Sequence, residues 1–377
     1  MIKNEGITMK KIKILTISSS GFNINDGIGT VLYDYYKRFD LNRFEVHLAI
    51  AGKYNCEIIR KFKNIGVIPK FLSSRNEEVF KYFYDLIKLI RNETYDIVYT
   101  NGSSALLSVD LLAAKISGCK CRVVHSHNTK CDHERLDWIL RPLMYALYTE
   151  AFACGNDAGK WLFKDRKFRV IRNGRSIQQY KYNVNERDRM RKKLAIPEGC
   201  VAVGHIGNFN EQKNQAFLVQ LFSEVLIKKS NAMLFLIGEG SRHKDVQKIT
   251  HELGIEKQVV FVGSTDDVPQ FLQAMDIMVL PSLHEGLPLV VVEWQLAGLP
   301  CLVSDTVTKE CVFTNFVEFE SLENGSTVWA SHLLNMQSKS LTRDDASIAK
   351  SARDAGYDID IDAMELQKYF LKMVLEQ

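Results

Sequence analysis

Short apolar runs alternate with helical stretches along this chain, and that alternation predicts an α/β protein built on doubly wound parallel sheets. The strand pattern runs through KIKILTIS (11–18), FEVHLAI (44–50), YDIVYTNG (95–102) and CRVVHSHNT (121–129), and most of these runs end at a turn residue. It restarts with VAVGHIGNF (201–209), AMLFLIG (232–238), VVFVG (259–263), DIMVL (276–280) and PCLVSD (300–305). A chain of 377 residues is long for one core and comfortable for two, at roughly 100–200 residues per domain. The expected domains are residues 1–178 and 179–355, followed by a closing segment, 356–377.

The first strand is followed by the loop SSGFNINDGIG (19–29) and a helix expected over about 30–39, with Gly27 and Gly29 at its start. A lone GxG signals a tight turn as readily as a phosphate site. Residues 77–91 carry Val79, Phe80, Phe83, Leu86, Ile87 and Ile90 at helical spacing, which reads as a core stripe. Another helix is expected over 106–116. In doubly wound sheets ligands bind outside the carboxyl ends of the strands, so His127, at the end of the 121–129 run, is singled out. His125 points off the strand the same way, so either of the two could face the ligand. Residues 176–199 are polar and include a short helix; a longer helix is expected near 214–228 and a closing one over about 362–375.

Residues 281–305, PSLHEGLPLVVVEWQLAGLPCLVSD, concentrate the chemistry. The DIMVL strand runs into a polar turn, Pro288 suits the first helical position, and Gly298 with Pro300 stops the helix after about residue 297. That helix is apolar almost all round, yet Glu293 sits in its middle. A buried carboxylate needs donors, either a protein Arg, Ser or backbone group or a ligand hydroxyl, because burying it alone costs on the order of several kcal/mol. Eight residues upstream lies Glu285, and between the two acids are the backbone N–H groups of a helix start, which attract phosphate. An acid for a sugar, amides for a phosphate and an acid for a ribose diol describe a nucleotide-sugar site.

The spacing of Glu285 and Glu293 resembles the E-x7-E pattern of the family 4 retaining glycosyltransferases, and the framing PSLHEGLP and AGLPCLVSD resembles the branch found among bacterial capsule and exopolysaccharide enzymes. HIGNFNEQKNQAFL (205–218), LFLIGEGSR (234–242), VVFVGSTDDVPQFLQAMDIMVLPS (259–282) and VVHSHNT (123–129) follow in that family's order. The resemblance implies a GT-B fold, two Rossmann-like domains facing across a cleft, with the last helix crossing back to the first domain. It implies that Lys213 and the amides near Leu287 to Leu289 hold the departing diphosphate, where negative charge develops, with Gly286 and Pro288 lining the same donor-binding turn. Glu285 would contact donor-sugar hydroxyls, Glu293 the ribose, Glu239 the nucleotide border, and His127 the donor sugar; Gly29 would face the donor or acceptor. Family members usually place an Arg where this chain has Asn208, which donates a hydrogen bond but carries no charge. The donor is expected to be a UDP-sugar acting as co-substrate, with no cofactor and no metal, and the acceptor a growing, lipid-linked saccharide. Retention at the anomeric carbon rests on the resemblance alone.

Hydrophobic content of 46% and charged content of 25% are ordinary for a globular protein. No stretch reaches the ~20 apolar residues needed to span a bilayer. The basic start resembles a signal-peptide leader, but the run 12–17 is short and interrupted by Lys13 and Thr16; Met9 is an alternative start. The eight cysteines include no CxxC, and Cys121, His125, His127, Cys131 and His133 match no usual zinc set. Reduced thiols in a cytoplasmic protein account for them. Likewise DIDID (358–362) lies near the C-terminus and not at a strand end, so it is not read as a metal-binding DxD.

The net charge of +4 is uneven: residues 1–190 hold 32 Lys+Arg against 20 Asp+Glu, or +12, and residues 191–377 hold 17 against 25, or −8. The basic half suits an anionic membrane surface, or else is a solvated lysine-rich face; nucleic acid is not expected, since no binding motif appears. Two rivals keep the same fold. A silent glycosyltransferase-like subunit would tolerate Asn208 and fail a donor-hydrolysis assay, and a nucleotide-sugar epimerase would form product without acceptor.

Overall fold

The computed structural model describes residues 10–22, 27–52, 54–265, 267–338, 343 and 346–376. The basic start with Met9, and residues 23–26 of the first loop, lie outside these. The chain divides into two units, Met1–Gly174 with Ile359–Gln377, and Arg175–Asp358.

The first unit contains a seven-stranded parallel sheet. Its strands are β1 (Ile12–Ser18), β2 (Phe44–Ala51), β3 (Ile68–Leu72), β4 (Ile97–Gly102), β5 (Cys121–Ser126), β6 (Glu150–Ala153) and β7 (Arg169–Val170), in the order β3-β2-β1-β4-β5-β6-β7. The second unit contains six, β8 (Val201–Ile206), β9 (Ala232–Ile237), β10 (Val259–Gly263), β11 (Ile277–Leu280), β12 (Cys301–Ser304) and β13 (Val317–Glu320), in the order β10-β9-β8-β11-β12-β13. Both sheets are the expected Rossmann-like, doubly wound kind. Strand order reverses between β1 and β4 in one and between β8 and β11 in the other, and these are the points where such sheets bind ligands. The near-continuous apolar runs of β11 and β12 are buried along their whole length, as parallel strands covered on both faces require.

Three local expectations are corrected. The helix Val79–Glu93 buries Tyr82, Leu86 and Ile90, while Phe80 is 92% exposed and Val79 46%. Its rotation is fixed by a polar anchor that apolar periodicity does not reveal: Tyr82 Oη donates to Asp110 Oδ1 at 2.6 Å, and Arg75 Nη2 lies 2.9 Å from Asp110 Oδ2. The helix near residue 288 spans Leu289–Leu296, with Pro288 as an extended N-cap instead of the first helical residue. The C-terminal helix begins earlier than expected, at Ile359. There the acids of DIDID serve a helix start, with Asp360 and Asp362 in the first turn, where the dipole favours negative charge.

That last helix packs within the first unit. Asp360 pairs with Arg38, Gln367 Oε1 accepts the Asp40 N–H at 2.8 Å, and Phe370 meets the rings of Phe39 and Tyr99. Among the described residues no helix is long and apolar enough to cross a membrane.

Candidate active site

In the second unit, the loops after β8 and β11 converge at the switch point. Lys213 Nζ lies 2.7 Å from Glu285 Oε1, both side chains being largely buried. Ser282 Oγ donates to the same carboxylate oxygen at 2.8 Å. The two loops are tied together by backbone and amide bonds: Leu283 N to Gln212 O (2.8 Å), Gln212 Nε2 to His284 O (2.9 Å) and Asn214 Nδ2 to Pro281 O (3.2 Å). Thr306 Oγ1 donates to Ser282 O at 2.9 Å, which holds the turn against the end of β12. Lys213 and Glu285 are therefore positioned by their loops before any ligand arrives.

Beneath them, His205 of β8 is fully buried. Its Nδ1 donates to Val279 O at 2.9 Å, and Gln215 Nε2 donates to its Nε2 at 3.3 Å. Burial lowers its pKa to about 4, so the ring is a neutral strut joining β8 to β11. Gln215 also reaches Asn208 O at 3.0 Å, which fixes the backbone of half-buried Asn208. The loop after β9 approaches the same region closely. Gly238 has φ +138°, and a Cβ there would stand 2.2 Å from Gly207 O. Glu239, in that loop, is exposed.

The start of the Leu289–Leu296 helix has no side-chain cap, because Pro288 offers no acceptor. Its first-turn N–H groups, at residues 289 and 290 just after Gly286 and Leu287, form an end suited to an anion. One turn on, Glu293 is 8% exposed, and the donor its burial demanded is a protein side chain: Arg175 Nε, at 2.7 Å from Oε1.

In the first unit, His127 follows β5 and its Nε2 lies 3.0 Å from Asn101 Oδ1 at the end of β4. The amide oxygen accepts, so Nε2 carries the proton and Nδ1 the lone pair. His125 is fully buried, bonded through Nδ1 to the Tyr99 hydroxyl; the centroids of the two imidazoles lie 4.1 Å apart with the rings tilted by 37°. Burial lowers the pKa of His127 to about 3 and that of His125 well below the ordinary range. Of the pair, His127 is the one that reaches the surface. Gly29 is buried within the helix Gly27–Tyr36, which starts three residues earlier than expected.

The Cys121–His133 region forms no metal-ligand group among the described residues; the one such group is Glu45, His47 and Glu93. Lys13 lies 3.3 Å from Glu45 and 3.1 Å from Glu93, and Lys70 2.6 Å from Glu93, so lysines meet that charge. Sequence reasoning missed Ser282, Asn101, His205 and Arg175. Asn101 alone carried a signal, as the polar end of the TNG strand terminus.

Residues 25–179 match the family model Glycosyltransferase Family 4, and residues 186–325 match Glycosyl transferases group 1. The putative glycosyltransferase EpsF of Bacillus subtilis is 30% identical over 329 residues, covering 82% of this chain and 84% of EpsF. The chain belongs to the GT-B glycosyltransferases of family 4. A second relative is the UDP-Gal:alpha-D-GlcNAc-diphosphoundecaprenol alpha-1,3-galactosyltransferase of Escherichia coli, 28% identical over 300 residues, with 74% of this chain and 75% of that one covered. Among solved structures, HepE of Anabaena in complex with UDP-glucose superposes with a TM-score of 0.78 at 18% identity, over 96% of this chain and 100% of HepE. That likeness shows the shared fold.

Proposed function

We propose that the protein is a retaining glycosyltransferase of capsule or exopolysaccharide synthesis, moving a sugar from a UDP-sugar to a lipid-linked saccharide without a metal cofactor. The observation that carries this reading is the Lys213–Glu285 pair, 2.7 Å apart, beside an uncapped helix start at the switch point of the second sheet. Lys213 and the backbone N–H groups of Gly286, Leu287 and Leu289, on either side of Pro288, stabilise the charge that develops on the departing diphosphate. Glu285, positioned by Ser282, takes donor-sugar hydroxyls, and Glu293 the ribose, with Arg175 as its positioning residue. Asn208 lends a hydrogen-bond donor to the phosphates, and Glu239 borders the nucleotide. In the first unit, His127 contacts the donor sugar or supports the reacting centre, and Gly29 lies on the substrate side of its helix start.

Relatives supply the substrate classes: the named donor of the E. coli enzyme is UDP-Gal and its acceptor is a diphosphoundecaprenol-linked sugar, and HepE was crystallised with UDP-glucose. An acceptor of that kind would hold the protein at the inner face of the cell membrane, which suits the excess of cations in the first half of the chain.

The test is UDP release from a panel of UDP-sugars, with and without a polyprenyl-diphosphate-linked saccharide, followed by NMR assignment of the product's anomeric configuration. Acceptor-dependent release with retention supports the proposal. Rearrangement of the nucleotide sugar itself without acceptor would favour the epimerase, and no turnover with any pair, hydrolysis included, the silent subunit.

A further inference from the structure

The helix Glu134–Leu147 carries apolar residues on both of its faces, Met144 and Leu147 inward and a second set outward. Asp137, Arg141, Met144 and Leu147 are its buried residues. Arg141 Nε lies 2.6 Å from Asp137 Oδ2, Arg141 Nη1 donates to Trp161 O at 2.8 Å, and Asp137 Oδ1 accepts the Ala105 N–H at 2.6 Å. At about 100° per residue, the opposite face presents Leu136, Trp138, Ile139, Pro142, Leu143 and Ala146, with Arg135 as its one charge. Trp138 is 73% exposed, Ile139 61% and Leu143 39%. An ordinary surface helix turns its one apolar stripe to the core and its charges to water; here the core side holds Met144 and Leu147 with a satisfied ion pair, and a second apolar stripe is left outside. Scattered apolar residues on a surface need no explanation, but a continuous face does.

Cations stand beside this face. The Arg166 guanidinium lies 4.3 Å from the Tyr145 ring of the same helix, and Tyr145 Oη donates to Leu162 O at 2.9 Å. Residues 164–169 hold Lys164, Arg166, Lys167 and Arg169 against the single acid Asp165, all exposed. The helix Val79–Glu93, which like this one packs against the helix Ser108–Ile116, adds exposed Phe80 and Tyr84 to the same unit. An exposed Trp and aliphatic residues flanked by Lys and Arg have the chemistry of the headgroup layer of an anionic bilayer, where indole sits at the interface and cations meet lipid phosphate. From Trp138 to Ala146 the face is about 12 Å long at 1.5 Å per residue, enough to lie along a membrane and far too short to cross one.

We infer that the helix Glu134–Leu147 docks the protein on an anionic bilayer, laying Trp138, Ile139 and Leu143 into the headgroup layer while Lys164, Arg166 and Lys167 engage the lipid phosphates. The inference rests on the reading of a lipid-linked acceptor, which would bring this chain to a membrane. It replaces diffuse attraction of a basic half by insertion of one named face.

The test uses the full chain with vesicles of phosphatidylcholine alone or mixed with phosphatidylglycerol, without acceptor. The parent protein should sediment with the anionic vesicles and less so as salt rises. Tryptophan emission should shift to the blue on binding; Trp294 and Trp329 are fully buried and Trp161 half-buried, so the shift reports Trp138. The double variant Trp138→Ser, Ile139→Ser should bind about tenfold more weakly, and Leu143→Ser should lose binding in the same direction, with turnover of a water-soluble acceptor unchanged. Equal binding by the double variant, no vesicle binding by the parent, or a parent dimer that the double variant dissolves would each overturn the docking face. Because the vesicles carry no acceptor, failure of the lipid-linked acceptor in the turnover assay counts separately, against the acceptor reading.

Discussion

Arg175 and Glu293 form a buried ion pair, Nε to Oε1 at 2.7 Å, between residues 118 apart in sequence. Arg175 is 5% exposed and Glu293 8%, so neither charge has much water to fall back on. Arg175→Ala should therefore destabilise the protein by about 3–5 kcal/mol, the usual cost of stranding one member of a buried pair. Chemical denaturation followed by circular dichroism checks this; a loss under 1 kcal/mol would mean that other donors suffice for Glu293.

Glu293→Gln separates the ligand role from the structural one. Gln keeps the shape and still accepts from Arg175, so the fold should survive. A carboxylate that holds the ribose should cost about 1.5–3 kcal/mol of UDP affinity when neutralised, the range for hydrogen bonds to a charged group. Calorimetric titration with UDP reads this directly, and unchanged affinity in a folded variant would leave Glu293 a structural partner of Arg175 alone.

The same pair shows where sequence reading stops. That Glu293 needed a donor followed from one acid in an apolar helix; which donor did not, because Arg175 is brought to it only by the fold. The parallel sheets were legible, since strands covered on both faces must be almost wholly apolar, as β11 and all but the last residue of β12 are. The facing of the helix Val79–Glu93 was not. Its apolar residues occupy more than one stripe, and the choice is made by the Tyr82–Asp110 hydrogen bond, a polar contact that hydrophobic periodicity cannot register. Ser282 and His205 escaped for a similar reason, because each acts by bonding to a neighbouring strand or turn.

Gly238 is required by the backbone and not by any side chain it lacks. Its φ of +138° is outside the range other residues adopt readily, and a Cβ would press to 2.2 Å from Gly207 O, a backbone atom that cannot swing aside. Gly238→Ala should cost at least the ~1–3 kcal/mol typical of such strained positions and should weaken UDP binding, because Gly207 leads into Asn208. Thermal unfolding together with UDP titration would show both. An Ala variant with parent stability would mean the two loops can separate freely.

His127 makes a prediction about pH. Burial holds its folded pKa at about 3, against ~6.5 when unfolded. The unfolded chain therefore binds a proton that the folded chain refuses between those values, so the stabilisation is complete above pH ~6.5 and is lost as pH falls from there toward about 3. His127→Gln should flatten the fall in denaturation midpoint between neutral and acid pH relative to the parent. It should also leave the turnover profile without any change of limb near pH 6.5, because a neutral His127 does not titrate there. A variant that abolishes a kinetic limb near that pH would show that the imidazole ionises during the reaction.

Lys213 bears most weight in the proposed chemistry, since Asn208 supplies no charge where the family resemblance implies an Arg. Its ammonium is already fixed 2.7 Å from Glu285 by loops bonded to one another at Gln212, Leu283 and Asn214, so little reorganisation is needed when charge develops on the diphosphate. Removing one preorganised group of this kind typically costs ~10²–10³ in turnover. Lys213→Ala should lose about that much in kcat while remaining folded and binding UDP. Lys213→Arg should recover part of the loss, because it restores the charge in a different shape. Substitution of Asn208 by Arg tests the same balance from the other side: Gln215 fixes the Asn208 backbone and leaves the side chain to vary, so added charge should raise turnover most in the Lys213→Ala background. If Lys213→Ala turned over donor as fast as the parent, the ammonium would have no part in leaving-group departure, and its pairing with Glu285 would be structural.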